Sequence, residues 1–164
     1  MVDTYLMIYV IFSRLFELVL SKKNTKRLLE DGVEEYYSFH YKFIVLFHVI
    51  FVSFFLVKSF FNTNINIQYL YLFFFLQFFR YLIIYQLGKF WTTRIIVINK
   101  PLVKTWIFKY LRHPNYLVVF SEIILICLFF NDFYSLIIFC TINSILIGIR
   151  IHYEEKANKF RQKL

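Results

Sequence analysis

Two short strings carry most of the chemistry open to this chain. Arg112-His113-Pro114-Asn115-Tyr116 stands at the foot of an apolar helical hairpin, and Arg150-Ile151-His152-Tyr153-Glu154-Glu155 stands where that hairpin ends. Pro114 suits the first turn of a helix, where its missing N–H is no loss, and a helix start presents unpaired N–H groups to a carboxylate or phosphate. On the following helix Arg150 and Glu154 face the same way, while Glu155 is turned by about 100°. Two crossings bring both strings back to one membrane face, so a cation, two anions, an imidazole and a phenol share a small volume. An Arg and a helix terminus suit a carboxylate, and a carboxylate suits an ammonium or a ribose hydroxyl. Such a set can enclose a polar cofactor beside a lipid-filled space. The purely structural alternative is a row of interfacial side chains snorkelling to the headgroups.

The elements that must position these residues are membrane helices. With 60% hydrophobic and 23% aromatic residues in 164 and a mean hydropathy of +0.60, several runs can cross a hydrocarbon core of about 30 Å, which needs roughly 20 helical residues. The intervening polar stretches are too short to close a core of their own. The expected fold is therefore all-α: one polytopic membrane helix bundle of about five transmembrane helices over residues 1–164. Residues 1–87 form a three-span bundle, and residues 88–164 supply the motif-bearing loop, the helical hairpin and the tail. Spans are expected at residues 4–20, 43–61, 67–87, 115–130 and 133–151, the fourth being short for a full crossing. Asn131-Asp132 makes the hairpin turn, because both side chains bond nearby backbone and tolerate unusual dihedrals.

Lys and Arg fall after the first, third and fifth spans, whereas residues 62–66 and Asn131-Asp132 carry none. This bias predicts an outer amino terminus and a cytoplasmic carboxyl terminus for an integral membrane protein, and the Phe-, Ile-, Lys- and Asn-rich usage points to an AT-rich, bacterial genome and hence a bacterial plasma membrane. The net charge of +9 is then mostly orientation and attraction to anionic lipid headgroups, which makes nucleic acid a poor second partner. Asp3 stands where a signal peptide would be basic, so the first span is expected to stay. Cys127 and Cys140 read as packing material inside spans, and His40, His48, His113 and His152 lack ligand spacing, so no metal centre is expected. Gly32, Gly88 and Gly148 are the only glycines, which excludes a Gly-rich Rossmann-type nucleotide site.

Ionisable groups at membrane depth cost several kcal/mol unless they face a partner or a wet cavity, so each is a candidate position. Arg14 with Glu17 reads as an internal ion pair that locks helix packing, and Gln77 shares a helix face with Arg80. Arg80 has no acidic neighbour on its own helix and needs Glu17, Glu122, backbone carbonyls or an anionic ligand. Arg80 and Glu122 are thus either structural partners or cavity-lining residues. Residues 88–112 hold Trp91-Thr92-Thr93-Arg94, the β-branched run Ile95-Ile96-Val97-Ile98, the turn signal Asn99-Lys100-Pro101 and a basic amphipathic piece. They could form a short local hairpin, an interfacial cover, or a loop anchored by Trp91 and Trp106.

Three stretches, residues 88–94, 112–116 and 150–155, resemble the isoprenylcysteine carboxyl methyltransferase family, integral membrane methyltransferases marked by Arg-His-Pro-x-Tyr and a late double Glu. The Trp-Thr-Thr-Arg and His-Pro-Asn-Tyr wording is similar to a bacterial branch that O-methylates long-chain alkylpyrones. The resemblance implies S-adenosylmethionine as cofactor, held by Arg112, His113, Tyr116, Arg150, Glu154 and Glu155 at the cytoplasmic end of the last two helices. In this reading Glu154 and Glu155 take the ammonium and ribose, Arg150 or Arg112 the carboxylate, and His113 and Tyr116 the adenosyl group. Arg94, with Arg80, would serve catalysis by orienting the anionic oxygen of a lipophilic small-molecule acceptor, whose tail Phe side chains would receive. Glu122 joins the candidate catalytic residues, either lining the acceptor cavity or pairing structurally. Val118 and Asn158 depart from the family's frequent Gly and Leu, without removing a charge. An NADPH-dependent sterol-type reductase, which shares a His-Pro-x-Tyr motif, a phospholipid N-methyltransferase and a non-enzymatic assembly protein are the alternatives.

Overall fold

The computed structural model describes residues 1–61, 64–97, 110, 111 and 113–161, the last three of these without their side chains. Within them, five α-helices follow in order: α1 (Val2–Glu30), α2 (Ser38–Phe61), α3 (Gln68–Leu87), α4 (Pro114–Phe129) and α5 (Phe133–Arg161). Four are long and apolar enough to cross a membrane, and α4 is the shorter one. At 1.5 Å per residue, α1 and α5 reach about 43 Å and α4 only about 24 Å. The bundle is all-α apart from a two-stranded patch, and no more than a third of the spanning windows is buried inside the protein. Phe12, Phe75 and Ile137, all more than 60% exposed, accordingly face outward, where lipid replaces protein as their apolar partner.

The turns set which ends share a face. Thr4 donates to the Ser59 carbonyl, and the Asn66 N–H bonds to the Phe129 carbonyl at 2.8 Å. The start of α1, the end of α2, the start of α3 and the α4–α5 turn therefore meet at one end. At that turn Asn131 takes a positive φ of 51°, which Asn tolerates better than most residues. Asp132 caps α5 by accepting from the Ser135 N–H at 3.0 Å and also holds Lys58. The exposed Lys22, Lys23, Lys26, Arg27, Lys89 and Lys156 all lie toward the opposite, basic end.

The packed core occupies the half of the bundle near the amino terminus. Phe47, Phe51 and Phe55 recur every four residues along one face of α2, as a helix requires for a continuous stripe. They meet Leu6, Met7 and Val10 of α1, Ile123, Ile126 and Cys127 of α4, and Phe139 of α5. Phe51 and Phe139 pack edge to face at 5.0 Å, and Phe55 lies 5.0 Å from Phe130.

The basic end is held differently, by polar fasteners. Ser21, Asn24 and Thr25 lie on one face of α1 and clasp the chain just after α3. Asn24 Nδ2 donates to the Gly88 carbonyl at 3.0 Å and the Trp91 carbonyl at 2.8 Å. Ser21 Oγ accepts from the Thr93 N–H at 2.9 Å, and Thr25 pairs with Thr92 at 2.8 Å. Gly32, at φ +78°, lets the chain leave α1 sharply, a conformation open to Gly without a Cβ penalty. The β-branched run then forms a strand, but not in a local hairpin. Ile95–Val97 (β2) pairs antiparallel with Glu34–Tyr36 (β1), with Glu35 opposite Ile96. The expected turn at Asn99-Lys100-Pro101, the basic amphipathic piece and the Trp106 anchor lie outside the described residues.

Two expectations follow. Asn24→Ala leaves the Trp91 carbonyl unpaired, while the Gly88 carbonyl keeps the Trp91 N–H, and should destabilise the protein by about 1–3 kcal/mol in unfolding titrations in mixed micelles. Burial pushes the Asp132 carboxyl up, but hydrogen bonds from Lys58 and Ser135 outweigh it and hold its pKa below the ordinary value. A depressed folded pKa gives stability that is present above the unfolded pKa and lost as pH falls through the folded one. Melting temperatures measured at descending acid pH should therefore drop for the wild type, and drop less for Asp132→Asn.

Candidate functional site

At the basic end the two motif strings come together. Pro114 occupies the first turn of α4, as its ring and missing N–H favour, and His113 precedes it as the N-cap residue. One turn of α4 then sets Tyr116 under His113, their rings stacked at 5.3 Å and 17°. The Tyr116 hydroxyl donates a hydrogen bond to Glu154 Oε1 of α5. Arg150, one turn earlier on the same helix face, donates from Nε to the Tyr116 oxygen at 2.6 Å and to Glu154 Oε1 at 3.2 Å. The other oxygen of Glu154 lies 3.5 Å from His113 Nδ1. Four of the expected cofactor residues thus form one connected cluster around Glu154. Glu155 is exposed beside it, and Arg112 lies outside the described residues.

The cluster closes one end of a cavity of about 380 Å³ between α1, α2, α4 and α5. Tyr116 and Arg150 belong to both, so the polar site and the hollow share a wall. Ile11, Leu15, Leu18, Ile44, Val45 and Val49 supply much of the wall. The expected Phe lining is not found among the described residues: the Phe side chains fill the packed half or face lipid, and branched aliphatic residues shape the hollow. Leu15 and Val49, which line it, are 51% and 55% exposed, so the cavity opens sideways between α1 and α2. Tyr41, Trp91 and Thr93 complete the wall at the basic end.

A second polar cluster lies deeper. Arg80 of α3 is 2% exposed and binds both Glu17 of α1 and Glu122 of α4. Arg14 joins in, at 3.4 Å from Glu17 and 2.5 Å from Glu122, and Gln77 Nε2 donates to Glu122 at 2.6 Å. The Arg14–Glu17 pair expected on one helix is thus part of a three-helix network. Two guanidiniums and two carboxylates cancel in charge. Arg80 lines the cavity, whereas Glu122 lies behind it with both oxygens engaged. Arg94 is held by both oxygens of Glu35 at 2.8 Å and stacks over Tyr41 at 5.2 Å. It sits next to the cavity wall, not in it.

Several contributors escaped sequence reasoning. Asn115, between the two motif residues His113 and Tyr116, lines the cavity with Oδ1 buried and unpartnered. His48 and Asn143 line it too. Asn143 was detectable as a polar residue in the middle of an apolar span. Tyr37 stacks on Tyr153 at 4.5 Å and ties the β1–α2 turn to α5.

The sequence model of the isoprenylcysteine carboxyl methyltransferase family matches residues 69–159. The uncharacterized protein YpbQ of Bacillus subtilis is 30% identical over 153 residues, covering 90% of this chain and 91% of its own length. An uncharacterized protein of Haemophilus influenzae is 27% identical over 151 residues, covering 88% and 87%. No solved structure is significantly similar to the chain.

The Arg80 network yields a direct measurement. Removing one partner leaves carboxylates uncompensated in the bundle, so Arg80→Met should cost about 3–5 kcal/mol in unfolding titrations. A variant that kept full stability and lost only turnover would assign Arg80 to the acceptor instead.

Proposed function

The chain belongs to the isoprenylcysteine carboxyl methyltransferase family of membrane methyltransferases, and we propose that it moves a methyl group from S-adenosylmethionine to an oxygen of a lipophilic acceptor. The observation that carries this reading is the shared wall: Tyr116 and Arg150 belong to the polar cluster and to the lipid-open cavity alike. A water-soluble donor on one side and a greasy acceptor on the other would meet there.

The residues present suit the donor. Buried Asn115 Oδ1 is an acceptor without a partner, matched to an ammonium or a hydroxyl. Glu154 and exposed Glu155 supply negative charge for the ammonium and the ribose, and Arg150 supplies the countercharge for a carboxylate. The stacked His113 and Tyr116 rings offer a flat surface for adenine. When bound, the sulfonium supplies an electrophilic methyl carbon. The chain's own work is alignment and exclusion of water, effects that can contribute up to roughly 7–11 kcal/mol. Tyr116 and Arg150 hold Glu154 in place before any ligand arrives, so little reorganisation is needed. Arg94 and Glu122, bound to Glu35 and to the arginines, act in this proposal by positioning α2, β2 and the three-helix network.

The acceptor enters from the bilayer through the gap beside Leu15 and Val49, and its oxygen is a carboxylate, enol or hydroxyl, as in an isoprenylcysteine-like compound or an alkylpyrone. The basic end, carrying Lys22 to Arg27, Lys89 and Lys156, faces the cytoplasm and the amino terminus lies outside. In a bacterial plasma membrane this orientation gives the donor access from the cytosol.

Membranes containing the protein, incubated with lipid extract and isotopically labelled S-adenosylmethionine, should yield a labelled lipid identified by mass spectrometry. Glu154→Gln and Tyr116→Phe should each lower S-adenosylmethionine affinity by about tenfold or more in calorimetry, the loss of one charge-assisted hydrogen bond. Heat from NADPH and none from S-adenosylmethionine would overturn the assignment.

A further inference from the structure

Besides Asn115, assigned above to the donor, the cavity wall carries His48 and Asn143, which neither the ion network nor the Glu154 cluster uses. Asn143 of α5 is 3% exposed, and its Nδ2 is buried without a hydrogen-bond partner. His48 of α2 presents a half-buried imidazole to the same cavity, with Phe47 packed against it at 5.4 Å. A buried donor without a partner is uncommon in folded proteins, and one that faces a cavity is explained by a ligand atom that completes it. The surrounding charges offer no anion site at this depth. Arg14 and Arg80 are neutralised by Glu17 and Glu122, and Arg150 is engaged by Glu154 and, in the proposed function, by the donor's carboxylate. Along α5, Asn143 stands two turns from Arg150, about 10 Å, and His48 lines the same cavity from α2.

We infer that His48 and Asn143 are the residues that bind the acceptor's oxygen, and that they select a lipophile ending in a neutral hydroxyl, phenol or enol. Asn143 donates to the oxygen, and His48 accepts its hydrogen. The tail then runs along Leu15, Leu18, Val45 and Val49 toward the bilayer. A carboxylate head is disfavoured, since it would bring an uncompensated charge beside a network that already sums to zero. This rests on the reading of the cavity as the acceptor site of the methyltransferase.

Binding without any donor separates the two ideas. In a Trp106→Phe background the fluorescence of Trp91, buried in the cavity wall, reports occupancy by four probes: meta-pentadecylphenol, its methyl ether, pentadecylbenzene and palmitate. The phenol should bind about tenfold tighter than the ether and the ether about fivefold tighter than the hydrocarbon, each step one hydrogen bond. Palmitate should bind no better than the phenol. His48→Phe, which keeps a ring, should erase the first gap, and Asn143→Leu, which keeps the volume, the second. Circular dichroism and elution volume establish folding, and His48→Leu with Asn143→Val, which likewise lack the acceptor and the donor, replace either variant that fails. Unchanged gaps in folded variants, or palmitate as the tightest probe, overturn the inference even if labelled methyl transfer proceeds. Intact gaps with no methyl transfer to any lipid overturn the methyltransferase reading and leave the hydroxyl site standing.

Discussion

Four charges inside an apolar bundle set the terms for everything else. Arg14, Glu17, Arg80 and Glu122 come from three helices, and none can stay ionised in hydrocarbon without the others. Because Arg80 reaches Glu17 on α1 and Glu122 on α4 together, the rotation of each helix about its axis is specified by the need to close the set. Apolar packing alone would not do this, since lipid tails solvate Leu and Phe as well as a neighbouring helix does. The network also concentrates polarity between α1, α3 and α4, leaving the space toward α2 and α5 free to be hollow.

Hollow and packed halves divide the bundle by chemistry. Near the amino terminus, Phe51, Phe55, Phe130 and Phe139 interlock in tilted and edge-to-face contacts that leave little room. Toward the basic end, α1 is held by hydrogen bonds from Ser21, Asn24 and Thr25 to the chain after α3. Side chains of that length grip backbone at the margin of the helix and do not fill the interior. A cavity therefore persists beneath them, walled by branched aliphatic residues and ended by Tyr116 and Arg150. Rigid aromatic packing in one half and marginal polar fastening in the other make a stable container with an open flank.

Much of this was legible in the sequence. Hydropathy and length placed the helices, Asn131-Asp132 located the hairpin turn, and Pro114 located the start of α4, because each rests on local chemistry. The spacing of Arg150 and Glu154 on one helical face foretold their contact, and two crossings brought them to His113 and Tyr116. Pairings between distant elements were less readable. Glu34–Tyr36 has only three residues and no apolar alternation, so nothing marked it as the partner of Ile95–Val97. Phe was expected to line the cavity because it is abundant, yet abundance says nothing about which helix face a residue occupies. Ser21, Asn24 and Thr25 looked like ordinary ends of a span, since hydrogen bonds to a loop leave no periodic trace. Asn115 and Asn143 were plain polar residues until the fold showed what their side chains lacked.

The brevity of α4 has a further consequence for the membrane itself. A helix of about 24 Å cannot match a hydrocarbon layer of about 30 Å, and the mismatch is relieved by thinning the bilayer or by drawing flanking polar groups inward. Phe129 is tethered to Asn66 at one end and Tyr116 to Arg150 and Glu154 at the other, so α4 has no freedom to slide toward either surface. Thinning of the bilayer by a few ångströms at the His113 end is the accommodation this tethering favours. A thinner apolar layer there separates a soluble reagent from a buried one by less oil.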